Sequence, residues 1–88
     1  MIRRRVIVHG RVQGVGFRFG VVRAAESRGL GGWVRNRPDG TVEAVFEGDA
    51  GAVDALVRWC EAGPRGAGVT GVDVADEEPE GLLRFEVR

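Results

Sequence analysis

The order of hydrophobic patterns along this chain restricts its fold more than any other feature. Strand-like and helix-like segments alternate over 88 residues, which is enough for one hydrophobic core and too few for two. A β-branched run predicts a first strand over residues 4–9, and Gly10 ends it. An apolar face followed by Gly29 predicts a helix over residues 18–28. The chain therefore begins as a strand, a loop and a helix.

A hairpin is predicted next. Residues 31–37 have the composition of a second strand. Residues 38–40, Pro-Asp-Gly, predict a turn because Pro restricts φ and Gly accepts a positive φ. Residues 41–47 then alternate between apolar and polar side chains, which is typical of a strand. The alternation places Glu43 and Glu47 on the outward face of this third strand.

The second half of the chain contains another helix and two further strands. Asp49 is a candidate N-cap, and four apolar side chains behind it share one helical face: Val53, Leu56, Val57 and Cys60. A strand is predicted over residues 69–75, and the acidic residues 76–81 predict a solvated turn. A last short strand is predicted over residues 83–87, with three side chains facing the core: Leu83, Phe85 and Val87.

This order, βαββαβ with a terminal strand, matches the ferredoxin-like plan. We therefore predict an α+β fold in which residues 1–88 form a single domain, with two helices on one face of an antiparallel sheet. In that plan the first and second strands run in the same direction, with the third strand between them. Their C-terminal ends lie at one edge of the sheet. The loop that leaves the first strand is thus expected close to the end of the second.

Composition excludes several classes of function. Thirteen basic residues balance 13 acidic ones, so no net charge attracts nucleic acid or an anionic membrane. Every basic residue is Arg, which excludes a lysine Schiff base and a Walker A loop. Cys60, the only cysteine, cannot form an internal disulfide or a thiolate metal cage. No segment resembles a signal peptide or a membrane span. We expect a cytoplasmic monomer with no nucleic-acid or membrane partner.

The candidate binding site is the glycine-rich loop between the first strand and the first helix. Glycines at positions 10, 14 and 16 allow consecutive N–H groups to turn toward one point, and the helix N-terminus adds partial positive charge. Arg18 stands in the first turn of that helix, where its planar guanidinium can donate to two phosphate oxygens. The loop alone is equally compatible with a tight turn that binds nothing.

Two longer motifs distinguish these alternatives. Residues 10–18, GRVQGVGFR, resemble the first signature of the acylphosphatase family. Residues 29–36, GLGGWVRN, followed by Asp39-Gly40 and Val42-Glu43, resemble the second. The spacing between the two motifs also fits, and the similarity extends over nearly the whole chain. The resemblance implies a hydrolase that cuts the carboxyl–phosphate anhydride of acyl phosphates to a carboxylate and inorganic phosphate.

The resemblance also implies which groups form the site. Arg18 matches the family's phosphate-binding arginine, and Asn36 matches the catalytic asparagine that orients the attacking water. The phosphate cradle corresponds to the backbone amides of six residues: Val12, Gln13, Gly14, Val15, Gly16 and Phe17. Neither a metal nor a cofactor is implied. The implied partners are a small acyl phosphate and inorganic phosphate.

The chemistry of acyl phosphates is consistent with so small a set of groups. The leaving group is a carboxylate whose conjugate acid has a pKa of about 4, so no general acid is needed. A phosphate monoester would expel an alkoxide and require an acid, a metal or a covalent nucleophile. One alternative stays open, a non-catalytic phosphate-binding or regulatory module on the same fold. An RNA-binding module is disfavoured because residues 41–47 lack the aromatic-rich pattern of such strands.

Other residues near the motifs receive structural roles. His9, the only histidine, is assigned to the surface of the sheet rather than to catalysis. Gly20 stands where family members often carry a bulky residue, which predicts a looser helix start or a small void. The remaining assignments are to packing for Cys60, Trp33 and Trp59, and to solvated surface charge for Arg11, Arg35 and Arg37.

Overall fold

The computed structural model describes residues 1–88 and contains two helices and five strands. In chain order the elements are β1 (Ile2–Arg11), α1 (Phe17–Ser27), β2 (Gly31–Asn36), β3 (Val42–Gly48), α2 (Ala50–Ala62), β4 (Gly68–Glu77) and β5 (Phe85–Val87). The predicted order of strands and helices is confirmed, and element ends differ from the predicted ones by no more than about two residues. Asp49 caps α2 as predicted, because its carboxylate accepts from the N–H groups of Gly51 and Ala52.

The five strands form one sheet in the order β4-β1-β3-β2-β5. β3 is antiparallel to both β1 and β2, so β1 and β2 run in the same direction, as the ferredoxin-like plan requires. β4 extends the antiparallel part beyond β1. β5 pairs parallel with β2, with Val34 opposite Val87, and makes the sheet mixed.

The hydrophobic core lies between the two helices and one face of the sheet. The sheet contributes a row of small and β-branched side chains with one aromatic ring, namely Val6, Val8, Val34, Val42, Ala44 and Phe46. Their partners on the helices recur at helical spacing: Phe17, Val21 and Ala25 on α1, and Val53, Leu56 and Cys60 on α2. The predicted core position of Cys60 is confirmed, since its side chain is fully buried.

The outward face of β3 is covered by arginine side chains rather than by solvent. Glu47 is 1% exposed and Glu43 is 5% exposed, because β3 is the central strand and its neighbours carry long side chains. Arg3 Nη1 donates to Glu47 at 2.6 Å, and Arg35 Nε donates to Glu43 at 2.6 Å. Arg5 forms a further ion pair with Glu43. Alternation correctly placed both carboxylates outward, but only the sheet order determines that they are buried there.

Two expectations for the C-terminal segment are corrected, the first of them only at residues 76 and 77. Residues 76–81 are not simply a solvated turn, because Glu77 ends β4 and accepts from Arg3 and Arg5. Leu83 does not face the core and is 90% exposed. Val87 is also half-exposed, whereas Phe85 is buried and stacks on Phe46. The physical reason is that β5 is only three residues long and lies at the edge of the sheet, so it reaches the core with a single side chain.

Candidate active site

A cleft of about 400 Å³ opens where β1 and β2 end on the same side of the sheet. The loop over residues 12–16 leaves β1 at this point, and α1 begins directly after it. The lining residues come from that loop, from the first turns of α1 and from the ends of β2 and β5: Val12, Gly14, Gly16, Phe17, Arg18, Phe19, Val22, Asn36 and Val87. Six of the eight predicted site residues therefore share one cleft, and only Gln13 and Val15 are not part of its lining.

The loop backbone presents unpaired donors. None of the N–H groups from Val12 to Phe19 donates to another backbone carbonyl, and the first bond of the helix runs from the Gly20 N–H to the Gly16 carbonyl at 3.0 Å. Gly14 and Gly16 make this path possible because their φ values of 75° and 78° lie in the left-handed region. The unpaired amides and the N-terminus of α1 together form an anion-binding environment.

Arg18 reaches the cleft with its guanidinium uncommitted. Six of the thirteen arginines form ion pairs with carboxylates, and Arg18 is not one of them: the six are Arg3, Arg4, Arg5, Arg35, Arg37 and Arg88. Its side chain is exposed, and no acidic side chain lines the cleft. The five N–H donors of Arg18 are thus available to an anionic ligand.

Asn36 is the last residue of β2 and lines the same cleft. Its side-chain carbonyl oxygen Oδ1 is buried and has no hydrogen-bond partner. A buried acceptor without a partner costs about 1–3 kcal/mol, so its presence at a cleft requires an explanation. A hydrogen-bond donor that enters the cleft, such as a water molecule, would satisfy it.

The side chain of Gln13 has a role that the sequence did not reveal. Its Nε2 donates to the backbone carbonyls of Arg37 at 2.8 Å and of Thr41 at 3.0 Å. Both carbonyls belong to the turn between β2 and β3, immediately beyond Asn36. Gln13 therefore ties the glycine-rich loop to the hairpin that carries Asn36. One signal could have indicated this, since Gln13 is the only carboxamide in a loop of glycine and valine.

Other candidates from the sequence lie outside the cleft. His9 Nε2 lies 2.8 Å from Asp73 Oδ2 at the surface of the sheet, in agreement with its assigned place. Arg35 pairs with Glu43 and Arg37 lies 3.7 Å from Asp39, so neither points into the cleft. No group of three or more His, Cys, Asp or Glu side chains is arranged to hold a metal ion. Neither helix has the length and apolar character needed to cross a membrane.

The two helices, the five-stranded mixed sheet and the glycine-rich loop that shares a cleft with Asn36 define a class of small α+β domains with a ferredoxin-like fold. Within that class, the acylphosphatase family model matches residues 4–87, and the chain belongs to the acylphosphatase family. A relative named acylphosphatase from Trichormus variabilis is 60% identical over 88 residues, which cover all of this chain and 87% of the relative. The predicted family membership and acylphosphatase activity are thereby confirmed.

Solved structures show the same relationship. The crystal structure of acylphosphatase from Bacillus subtilis has a TM-score of 0.96 at 43% identity and covers 100% of this chain and 99% of that one. A crystal structure of full-length HypF in a phosphate- and nucleotide-bound form gives a TM-score of 0.91 at 27% identity, and the match covers 99% of this chain but 12% of HypF. The predicted ferredoxin-like fold is confirmed.

Proposed function

We propose that this acylphosphatase works through Arg18, Asn36 and the loop amides, and that it hydrolyses the carboxyl–phosphate anhydride of acyl phosphates. The observation that carries the proposal is the unpartnered Oδ1 of Asn36 in the cleft that Arg18 also lines. The reaction must bind a phosphoryl group and a water molecule. A guanidinium without an ion-pair partner suits the first, and a hydrogen-bond acceptor without a donor suits the second.

The phosphoryl group binds to the glycine-rich loop in this proposal. The amides of residues 12–17 and the guanidinium of Arg18 donate to its non-bridging oxygens. These donors are in place before the reaction, so they stabilise the charge of the transition state without reorganisation. The N-terminus of α1 adds to the same field.

The attacking water binds to Asn36. Its Oδ1 accepts a hydrogen bond from one O–H of the water and so directs a lone pair of the water oxygen toward phosphorus. The P–O bond to the carboxylate breaks as the bond from the water oxygen forms. The electron pair leaves with the carboxylate, which needs no protonation at neutral pH. The water proton passes to a phosphate oxygen, since no side-chain base lines the cleft.

The test is hydrolysis of benzoyl phosphate by wild type, Arg18→Ala and Asn36→Ala in excess EDTA. Arg18→Ala should lower kcat/KM by about 100-fold or more, the scale for loss of a key transition-state donor. Asn36→Ala should abolish measurable turnover while inhibition by inorganic phosphate persists. Arg58→Ala is the matched control, because Arg58 is an exposed arginine on α2, away from the cleft. Phosphate binding by a wild type that hydrolyses nothing would favour the non-catalytic alternative.

We further propose that residues 1–88 act as one domain and as a monomer in the cytoplasm. One core cluster joins both helices to the sheet, which supports a single unit. The edge strand β4 carries acidic side chains at Asp73 and Asp76, and the other edge strand is only three residues long. Charged and short edges oppose strand pairing between copies. Light scattering on the purified protein measures the mass that tests this.

A further inference from the structure

The cleft has a polar end and an apolar end. Arg18 and Asn36 supply its only polar side chains, and every other lining side chain is apolar or absent. Val12 and Phe17 are buried, at 1% and 2% exposure, and belong to the core. The polar end is the part of the cleft proposed to bind the phosphoryl group and the water molecule. The apolar end has no assigned ligand. It is formed by Phe19, Val22 and Val87, and we name it the acyl wall.

The acyl wall exposes side chains that a folded protein normally buries. Phe19 is 67% exposed and Val87 is 54% exposed, and both line the same cleft. The Phe19 ring has one close aromatic or cationic partner, the Arg23 guanidinium one helical turn away, 5.8 Å from the ring centroid. Exposed aromatic and aliphatic groups that share a concave site indicate a ligand more often than a packing role.

The position of the acyl wall follows from the phosphoryl site. Phe19 directly follows Arg18 in the chain. Val87 lies opposite Val34 in the parallel pairing of β5 with β2, two residues before Asn36. The N–H of Arg88 donates to the Val34 carbonyl at 2.9 Å and holds the end of β5 in place. Apolar groups therefore lie beside both residues proposed to act on the phosphoryl group. A cleft of about 400 Å³ is within the range of about 300–1,000 Å³ for small-molecule sites and is larger than a phosphoryl group requires.

We propose that the acyl wall binds the hydrocarbon part of the acyl group, so that acyl phosphates with apolar alkyl or aryl groups are preferred substrates. This inference rests on the proposed function, because it places the phosphoryl group at Arg18 and the loop. The occupant is the substrate's own acyl chain, which must lie next to the phosphoryl group to which it is bonded. Small acyl groups reach too little of the wall to gain from it, and acyl groups with a distal charge would lose hydration there.

Binding of alkylphosphonates tests the inference independently of hydrolysis. Methyl-, butyl- and hexylphosphonate share one anionic head group and differ in apolar area only. In an open cleft each added CH₂ should tighten Kd by about twofold, about half of the free energy that full burial of a CH₂ provides. Calorimetry should therefore show hexylphosphonate binding to wild type at least about tenfold more tightly than methylphosphonate. Phe19→Ala should reduce that ratio to below about threefold.

Hydrolysis of acetyl, butyryl and hexanoyl phosphate is the second arm. Straight-chain acids have nearly the same acidity, so the leaving group is constant and kcat/KM should rise along the series in wild type. Phe19→Ala should flatten the rise. Leu83→Ala is the matched control, because Leu83 is an exposed apolar residue outside the cleft and its loss should leave both series unchanged.

Three results would overturn the inference. These are a Kd that does not depend on chain length, a Phe19→Ala protein that retains the full slope, and a preference for succinyl monophosphate over butyryl phosphate. The last would point to Arg23 as a second carboxylate site instead of an apolar wall. Failure of the proposed function is distinguishable from all three. In that case no acyl phosphate is hydrolysed, while the phosphonate series still shows the dependence on chain length that supports the wall.

Discussion

The indole of Trp59 occupies the space where a side chain on Gly20 would stand. A Cβ on Gly20 would lie 2.6 Å from Cη2 and 2.7 Å from Cζ2 of that ring. The indole also packs edge-to-face on Phe17, with ring centroids 5.4 Å apart and an interplanar angle of 74°. The sequence predicted a void or a looser helix at Gly20, and the void is absent because α2 fills the space. The first turn of α1, next to the glycine-rich loop, thus packs against α2.

Gly20→Ala should destabilise the protein even though alanine favours helix formation. The gain in helix propensity is about 1 kcal/mol, whereas overpacking against the indole costs about 1–3 kcal/mol. Urea denaturation should show a lower midpoint with an unchanged m-value. In a Trp59→Leu background the same substitution should stabilise, because the clash is removed and the propensity gain remains. A Gly20→Ala protein more stable than wild type would contradict the packing argument.

Gln13→Ala should separate catalysis from phosphate binding. The variant loses the two hydrogen bonds that tie the loop to the hairpin of Asn36, while Arg18 and the loop amides remain. We expect kcat to fall by about tenfold, since small misplacements of a reacting group are costly, and phosphate inhibition to change much less. Steady-state kinetics with benzoyl phosphate measure both quantities.

Ser27→Ala is the matched control for Gln13→Ala. It also removes a hydrogen bond from a side chain to a backbone carbonyl, the 2.8 Å bond from Ser27 Oγ to Ala24, but away from the cleft. It should change kcat little. If both variants lowered kcat equally, or if Gln13→Ala raised only KM, Gln13 would not be a positioning residue.

The free energy of unfolding should fall at low pH because Glu43 and Glu47 are buried and ion-paired with arginines. Burial by itself would raise the pKa of Glu47, but the hydrogen bonds from Arg3 and from the N–H groups of residues 80–82 outweigh it and lower that pKa below 4.5. The pKa of Glu43 is lowered in the same way, with Arg35 and Arg5 outweighing burial. A depressed native pKa stabilises the fold above the unfolded-state pKa, and that stabilisation is lost as pH falls below about 4.5. Urea midpoints measured from about pH 7 to about pH 3 should follow this course.

Glu47→Gln tests how much of that behaviour comes from one buried carboxylate. The substitution removes the most deeply buried carboxylate that pairs with Arg3, while Glu77 and Glu80 still pair with it, and should cost about 1.5–3 kcal/mol at neutral pH. The remaining acid dependence should be shallower than in wild type. Glu86→Gln is the comparison, because Glu86 pairs with Arg88 at 3.6 Å on the surface, where removal of an ion pair costs about 0–1 kcal/mol. Equal losses of unfolding free energy in the two variants would show that the buried ion pairs contribute no more to stability than a surface ion pair.

The thiol of Cys60 should be unreactive in the native protein. Burial, with a smaller contribution from the charge of Glu61, raises the pKa of Cys60 to about 12. The thiolate is the reactive form, so alkylation at neutral pH should require unfolding. Mass spectrometry after iodoacetamide treatment should find native protein unmodified and protein in concentrated urea fully modified. Rapid stoichiometric labelling without denaturant would contradict the buried position.

The order of strands and helices and the placement of Arg18 and Asn36 followed from the sequence alone. Periodicity over short segments defines each element, because apolar side chains must share a face for burial. Once the elements match a ferredoxin-like order, β1 and β2 must end on the same side, and the cleft lined by Arg18 and Asn36 follows. These are consequences of local pattern and of a small set of allowed topologies.

Contacts between residues distant in the chain could not be predicted from local pattern. Trp59 and Gly20 lie on different helices, and Gln13 reaches carbonyls of a hairpin more than twenty residues away. Burial of Glu47 depends on β3 being the central strand, and the shared cleft of Phe19 and Val87 depends on β5 lying beside β2. Local propensity cannot encode such contacts, because each depends on how whole elements pack against one another. Local pattern was thus enough to predict the elements, their order in the sheet and the family, whereas side-chain packing determined how the glycine-rich loop and the Asn36 hairpin are held together.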